Sequence, residues 1–190
     1  MVRFGNLNLA EEVYPSIRSG TDGMDVIFCR NVLMYLTPRH QRQVVSALHR
    51  CLGEGGYLFV NPAEAKIKQG WTLGVPEWKS LPGGKRERFS AIPMLCATEA
   101  GAELTLAFEG TAVGAYVVAG PDAGIAEASV DGGPFARVNV YHAYSKGLHY
   151  PRTVMLGAEL QPGPHTLTLR MASETQSAGH AMRIMQFVAN

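Results

Sequence analysis

The residues that follow the apolar stretch MDVIFC, residues 24–29, have side chains that could hold a small ligand. Arg30, Asn31 and Tyr35 supply a cation, an amide and a hydroxyl directly after this stretch. Open α/β sheets bind ligands in the crevice beyond the carboxyl ends of their strands, so the spacing predicts a ligand site here. Each residue also has a structural alternative: Asn31 could cap the strand end, Arg30 could be a solvated charge, and Tyr35 could lie at the rim.

A second group of potential binding residues lies in YHAYSKGLHY, residues 141–150. Aromatic faces combined with polar groups suit the surface of a sugar, and loops on rigid β-sandwiches commonly carry binding sites. The alternative is a loop that packs its tyrosines against neighbouring strands. The candidate ligand-binding residues are Tyr141, His142, Tyr144, His149 and Tyr150, with Lys146 among them.

Three further polar residues are interpreted as structural. His165 stands at the start of a strand, where backbone groups can satisfy its ring nitrogens. Asp122 and Asp131 lie in glycine-rich turns, which favour aspartate because its side chain hydrogen-bonds the local backbone. No grouping of cysteine and histidine has the spacing of metal ligands, so no metal site is predicted.

The first 62 residues alternate between strand and helix patterns. MDVIFC is typical of a strand buried on both faces, and YLFVN, residues 57–61, of a second strand. Between them a helix is predicted over 38–52, capped by Thr37, with Pro38 at its first position and GEGG (53–56) as its stop. Its apolar face is formed by Val44, Val45, Leu48, Cys51 and Leu52. This order predicts a βαβ unit with parallel strands.

From residue 101 the pattern changes to short strands separated by Gly, Pro and Asp. Seven such segments recur at intervals of about a dozen residues, which is typical of an antiparallel β-sandwich. DGG at 131–133 is a hairpin signal. The predicted class is therefore α+β. A truncated, Rossmann-like βαβ segment (1–62) precedes a linker with the first sandwich strand (63–100) and a jelly-roll-like β-sandwich (101–190).

Composition excludes several classes of protein. The 190 residues are 46% hydrophobic and 17% charged, with a net charge of +1. Such a chain is globular and carries no electrostatic footprint for nucleic acid or an anionic membrane. No signal peptide or membrane-spanning run is expected. Cys29, Cys51 and Cys96 lie in apolar surroundings, which predicts free thiols in a reducing, cytoplasmic environment.

Two long segments of the first part resemble a known family. They are FGNLNLAEEVYP and MDVIFCRNVLMYLTPRHQRQVVSALHRCLGEGGYLFVNPAE, within residues 2–64. They resemble the carboxyl-terminal part of the CheR-type chemotaxis-receptor methyltransferases, which use S-adenosylmethionine to methylate glutamate side chains. The family's glycine-rich first loop, its acidic ribose-binding residue and its amino-terminal domain have no counterpart in this sequence.

The resemblance implies roles for five residues. Asn8 with Leu9, and Arg30 with Asn31, match the two dipeptides that line the cofactor in that family. Tyr35 matches a tyrosine beside the transferred methyl group. Methyl transfer requires mainly that the carboxylate nucleophile be held in line with the methyl group. The implied cofactor is S-adenosylmethionine, but the missing loop predicts weak or absent binding by this chain.

Residues 70–190 resemble the β-sandwich module attached to bacterial SGNH/GDSL-type esterases. The segments that carry this resemblance are FEGTAVG, AGPDAG, VDGGPF and LQPGPHTLTLR. No GDS-type nucleophile motif and no G-x-S-x-G elbow is present. The resemblance therefore implies a non-catalytic accessory module, with carbohydrate as the ligand class.

Three functional hypotheses follow. In the first, the chain is related to methyltransferases and acts only with missing parts supplied by another molecule. In the second, the sandwich binds glycan or supports a hydrolase. In the third, the chain is a fusion product without activity. The βαβ segment has two apolar strands but only one helix to cover them. The four large side chains that cannot all lie beneath this helix are Ile27, Phe28, Leu58 and Phe59. The uncovered side is expected to pack on the sandwich, to bind a second copy or a protein partner, or to stay loosely ordered.

Overall fold

The computed structural model describes residues 7–9, 11, 14–17, 20–29 and 36–190. It contains the βαβ unit that the sequence predicts: strand β1 (Met24–Cys29), helix α1 (Pro38–Arg50) and strand β2 (Leu52–Val60). β1 and β2 are parallel, with Ile27 opposite Leu58 and Phe28 opposite Phe59. The prediction of a parallel crossover is confirmed.

Helix α1 begins as predicted but ends earlier. The Thr37 side chain accepts a hydrogen bond from the backbone N–H of His40, and a proline occupies the first turn. The helix ends at Arg50, before GEGG, so the prediction that these glycines stop it is wrong. They lie instead in β2, where Gly55 has a φ of 73°. A Cβ at Gly56 would lie 2.7 Å from the carbonyl oxygen of Met24, so only glycine fits there.

Residues 63–100 contribute three strands rather than one. They are β3 (Lys66–Gln69), β4 (Trp71–Gly74) and β5 (Met94–Ala97).

None of the helices in the described part of the chain has both the length and the apolar character that crossing a bilayer requires.

The remaining chain forms seven strands, which match the seven predicted segments. Asp131, with a φ of 53°, and Gly132 form the predicted hairpin turn between β8 and β9. The strands are β6 (Glu103–Gly110), β7 (Val113–Ala119), β8 (Ile125–Val130), β9 (Ala136–Asn139), β10 (Tyr150–Gly157), β11 (Gly163–Met171) and β12 (Met182–Ala189).

The strands form two sheets that pack as a β-sandwich, so the predicted fold class is confirmed. One sheet has the order β3-β6-β11-β8-β9. In the other, β12 pairs with β7 on one side, and β7 continues to β10. The opposite side of β12 pairs with β5 through Met182–Ile184 and with β2 through Phe187–Ala189. The βαβ segment therefore extends a sheet of the sandwich.

The two parts of the chain share one hydrophobic core. A single cluster of buried residues contains Val44 and Leu48 of α1, Leu58 of β2, and Leu104 and Phe187 of the sandwich. Each of these side chains is at most 8% exposed. The helix-facing side of the βαβ segment is thus covered by α1 and the sandwich. The expectation that the other side packs on the sandwich is not met by Phe28, which is 62% exposed.

The outer side of the βαβ segment remains open within the described residues. Val26 is 44% exposed, Phe28 62% and Tyr57 48%, so the prediction that β1 is buried on both faces is wrong. Phe28 stacks on Phe59 with ring centroids 4.7 Å apart. A cavity of about 310 Å³ adjoins this face between β2, β7, β10 and β12. A protein partner or second copy on this side stays a prediction.

Candidate functional site

Two rings of the loop between β9 and β10 and the ring of Tyr150, the first residue of β10, come together at the surface. The ring centroid of His142 lies 5.2 Å from that of Tyr144 and 5.9 Å from that of Tyr150. The Tyr144 and Tyr150 centroids are 5.9 Å apart. Tyr144 is 70% exposed, whereas His142 and Tyr150 are half-buried. We call His142, Tyr144 and Tyr150 the aromatic platform.

Local hydrogen bonds hold the platform in shape. The Nδ1 atom of His142 accepts a hydrogen bond from the backbone N–H of Tyr144 and so begins a 3-10 turn over Ala143–Lys146. The Asn139 side chain accepts from the backbone N–H of Tyr141 at 3.0 Å. Tyr141 itself is half-buried and packs against the core, so it does not join the platform.

His149, which the sequence grouped with these residues, does not join the platform. It is 1% exposed, and its ring meets that of Trp78 edge-on with centroids 5.2 Å apart. Its Nε2 donates a hydrogen bond to the carbonyl oxygen of Pro82 at 3.0 Å. Burial, followed by the charge of Arg183, lowers the pKa of His149. The neutral ring therefore anchors the loop instead of meeting a surface ligand.

Backbone contacts around His149 tie the loop to two neighbouring segments. The N–H of His149 donates to the carbonyl of Gly84 at 2.7 Å, and the N–H of Gly84 donates to that of Gly147 at 2.9 Å. On the other side, a Cβ at Gly120 would overlap the His149 ring. Glycine at 120 thus makes room for the histidine, and the loop that carries the platform is fixed at its base.

A buried ion pair lies next to this anchor. Arg183 of β12 is 2% exposed, and its Nη1 and Nη2 atoms donate to the two carboxylate oxygens of Asp122 at 2.9 and 2.6 Å. Burial acts to raise the pKa of Asp122, but the hydrogen bonds and charge of Arg183 outweigh it and lower that pKa. The sequence interpretation of Asp122 as a turn residue missed this pair. An arginine within the apolar strand MRIMQFVA was the available signal, because a buried guanidinium needs a carboxylate.

His165 and Asp131 form a separate pair. The Nδ1 of His165 lies 2.6 Å from a carboxylate oxygen of Asp131, and its Nε2 lies 2.7 Å from the carbonyl of Gln161. The hydrogen bond with Asp131, then that with Gln161, raises the pKa of His165. Both ring nitrogens face acceptors, so the pair stabilises the β10–β11 connection and leaves no nitrogen free for chemistry. Asp131 also accepts from the N–H of Thr166, in agreement with its assigned role in a turn.

Of the residues assigned to S-adenosylmethionine by resemblance, Asn8 and Leu9 lie in the described part. The Asn8 side chain donates to Glu11 at 2.7 Å, and the Leu9 carbonyl accepts from the Tyr14 hydroxyl at 2.9 Å. Arg30, Asn31 and Tyr35 lie outside the described residues. Leu9 also packs against the hydrophobic core. The assignment of Asn8 and Leu9 to the cofactor stays a prediction.

Comparison with known proteins finds a family match in the first part of the chain. Residues 1–72 match the family model described as "CheR methyltransferase, SAM binding domain". The first segment is CheR-like. The match begins before β1 and reaches the start of β4, so it covers the whole βαβ unit and its attachment to the sandwich.

Curated relatives match the CheR-like segment. The probable biofilm formation methyltransferase WspC of Pseudomonas aeruginosa is 39% identical over 66 residues, which are 35% of this chain and 15% of the relative. Chemotaxis protein methyltransferase 1 of the same species is 39% identical over 64 residues, which are 34% and 22% of the two chains. The chain thus spans less than a quarter of either relative.

Comparison with solved structures gives neighbours of low sequence identity. A two-domain esterase active on acetylated mannans has a TM-score of 0.49 at 12% identity, with 84% of this chain and 50% of that chain covered.

Proposed function

We propose that the β-sandwich binds carbohydrate through the aromatic platform, as an accessory module of the kind attached to esterases. The observation that carries this proposal is the exposed arrangement of His142, Tyr144 and Tyr150, whose ring centroids lie 5.2–5.9 Å apart. Tyrosine offers a flat apolar face and a polar hydroxyl at a low cost in conformational entropy. A pyranose ring presents the matching C–H face and hydroxyl rim.

The rigidity of the loop supports this function. The buried His149 and its hydrogen bonds to the segment around Gly84 fix the platform before a ligand arrives. Preorganised aromatic residues lose little freedom on binding, so more of the stacking energy contributes to affinity. By contrast, a loop whose tyrosines served only to fill the core would not leave Tyr144 70% exposed.

Substitution of Tyr144 tests the proposal. We expect the chain to be retarded in affinity electrophoresis by at least one member of a panel of soluble plant and bacterial polysaccharides. Tyr144→Ala should weaken that binding by about tenfold or more, because it removes the most exposed stacking surface.

Tyr57→Ala is the matched control. Tyr57 is also an exposed tyrosine, but it lines the cavity beside Gly114 and Met155. The platform residue Tyr150 lies at the start of β10, where it pairs with Ala119, whereas the cavity lies near the end of β10. The control should bind as the unchanged protein does. Retention of full affinity by Tyr144→Ala, or binding to none of the panel, would contradict the proposal.

A second candidate function concerns the CheR-like segment. We infer that it contributes one wall of an S-adenosylmethionine site and forms no complete site in this chain. The family match over residues 1–72 favours the relationship to the cofactor. The absence of a glycine-rich loop from the sequence argues against independent binding, because such loops supply the backbone N–H groups that hold a nucleotide. The cysteines, all free thiols in the structure, are compatible with a cytoplasmic location.

Calorimetry tests this second candidate. Titration of S-adenosylmethionine into the chain should give no binding in the micromolar range, because only one wall of the site is supplied. Micromolar binding that disappears in Asn31→Ala would show instead that the segment holds the cofactor by itself.

A further inference from the structure

The segment that carries the aromatic platform is positively charged. Residues 132–158 contain no aspartate or glutamate, but they include Arg137, Lys146 and Arg152. Arg137 is neutralised by Glu174 at 2.6 Å and by Glu127 at 3.8 Å. Lys146 and Arg152 form no ion pair with any described carboxylate. The segment that carries the platform therefore contains two cations, Lys146 and Arg152, that no described carboxylate neutralises.

The position of Arg152 brings its charge close to the platform. Arg152 lies two residues after Tyr150 on β10, so the two side chains point to the same face of the strand. Its Nη1 atom donates to the carbonyl of Val140 at 3.5 Å, two residues before His142 of the platform. This single bond is long for a hydrogen bond and leaves most of the guanidinium donors uncommitted.

Lys146 approaches from the loop itself. It ends the 3-10 turn that begins at His142 and contains Tyr144, and its side chain is exposed. An arginine with free donors can bind a carboxylate through two parallel hydrogen bonds, whereas a lysine acts as a mobile point charge. Together they suit a ligand that carries a carboxylate beside a flat apolar face.

We propose that the platform selects acidic sugars. Tyr144, Tyr150 and His142 stack on the ring of a uronic acid residue, and Arg152 with Lys146 binds its carboxylate. This inference rests on the proposed carbohydrate-binding function and specifies the class of sugar. Lys66 is a suitable reference cation, since it lies on β3, at the edge of its sheet opposite to β9, from which the platform loop departs.

The test compares polygalacturonate with its fully methyl-esterified form, which has the same sugar ring but carries an uncharged methyl ester in place of each carboxylate. In calorimetry at low salt, the full chain should bind polygalacturonate about tenfold more tightly than the ester. Arg152→Gln and Lys146→Gln should each reduce this preference, and the double variant should remove it. Lys66→Gln, which removes the same charge elsewhere, should leave the preference intact. Tyr144→Ala should weaken the binding of both polymers.

Each alternative result overturns the inference in a distinguishable way. Equal affinity for both polymers, still dependent on Tyr144, would overturn the choice of acidic sugars and leave carbohydrate binding standing. Binding of polyglutamate as tight as that of polygalacturonate would show simple attraction between charges and would also overturn it. Binding to neither polymer nor to any other polysaccharide would overturn the proposed function together with this inference. Lys146→Gln guards against misfolding as an explanation, because its exposed side chain supports no described contact.

Discussion

Asp122→Ala is expected to lower the free energy of unfolding by about 3–5 kcal/mol, which is the usual cost of leaving one member of a buried ion pair alone. Arg183 is 2% exposed, and both of its terminal nitrogens bind the Asp122 carboxylate. Without Asp122 the guanidinium would stay buried beside Trp78, whose ring lies 5.9 Å from it, and beside the neutral His149. Urea denaturation followed by fluorescence measures the loss.

Two further variants separate the charge effect from the effect of the turn. Asp131→Ala also removes an aspartate from a glycine-rich turn, but its carboxylate is exposed and binds His165 at the surface. It should destabilise the protein much less. The double variant Asp122→Ala, Arg183→Met removes both charges and should recover most of the lost stability. A loss that persists in the double variant would show that the turn, and not the buried arginine, requires Asp122.

The anchor around His149 links this ion pair to the candidate site. Asp122 and Gly120 belong to one turn, and Gly120 contacts the His149 ring from the side opposite the Gly84 segment. The platform loop is thus held by an interior that contains an arginine, an aspartate and a histidine. The His149 ring is held by its Nε2 hydrogen bond to Pro82 and by its edge-on contact with Trp78, whereas its buried Nδ1 has no described hydrogen-bond partner. With the backbone hydrogen bonds to Gly84, these contacts fix the base of the loop that carries His142 and Tyr144.

Local sequence patterns predicted most of the strands and the helix. Alternation in HTLTLRM matches β11, the Thr37–Pro38 pair marks the start of α1, and DGG forms the β8–β9 turn. These features depend on nearest neighbours along the chain, so their physics is visible in a short window. The early start of β2 was missed because it depends on Gly55 adopting a positive φ, which the glycine permits but does not require.

Features that depend on distant partners could not be predicted in the same way. β2 pairs with the end of β12, through Leu58 and Ala189, across more than half of the chain. The apolar run in β1 indicated a strand with two covered faces, but composition alone does not reveal whether a covering element exists. Within the platform loop the residue types predicted a binding surface, whereas the separation of His149 from Tyr144 depends on the segments that enclose the histidine.

The pairing of β2 with β12 leads to the second large effect. Leu58→Ala should lower the free energy of unfolding by about 2–5 kcal/mol, because Leu58 is 1% exposed and its removal leaves a cavity in the shared core. Phe28→Ala is the matched control, since Phe28 lies on the open face and mainly stacks on Phe59. That substitution should cost about 0.5–1.5 kcal/mol.

Two probes show whether the βαβ unit, which forms most of the CheR-like segment, unfolds together with the sandwich. Circular dichroism at the helical band reports on α1, whereas fluorescence reports on Trp71 and Trp78, which lie beyond the βαβ unit. One shared core predicts that Leu58→Ala shifts both urea transitions to the same lower midpoint, since a cooperative unit loses stability as a whole. If the fluorescence midpoint stayed in place while the helical signal moved, the CheR-like segment would be an independent unit, and the strand pairing between β2 and β12 would contribute little to the stability of the sandwich.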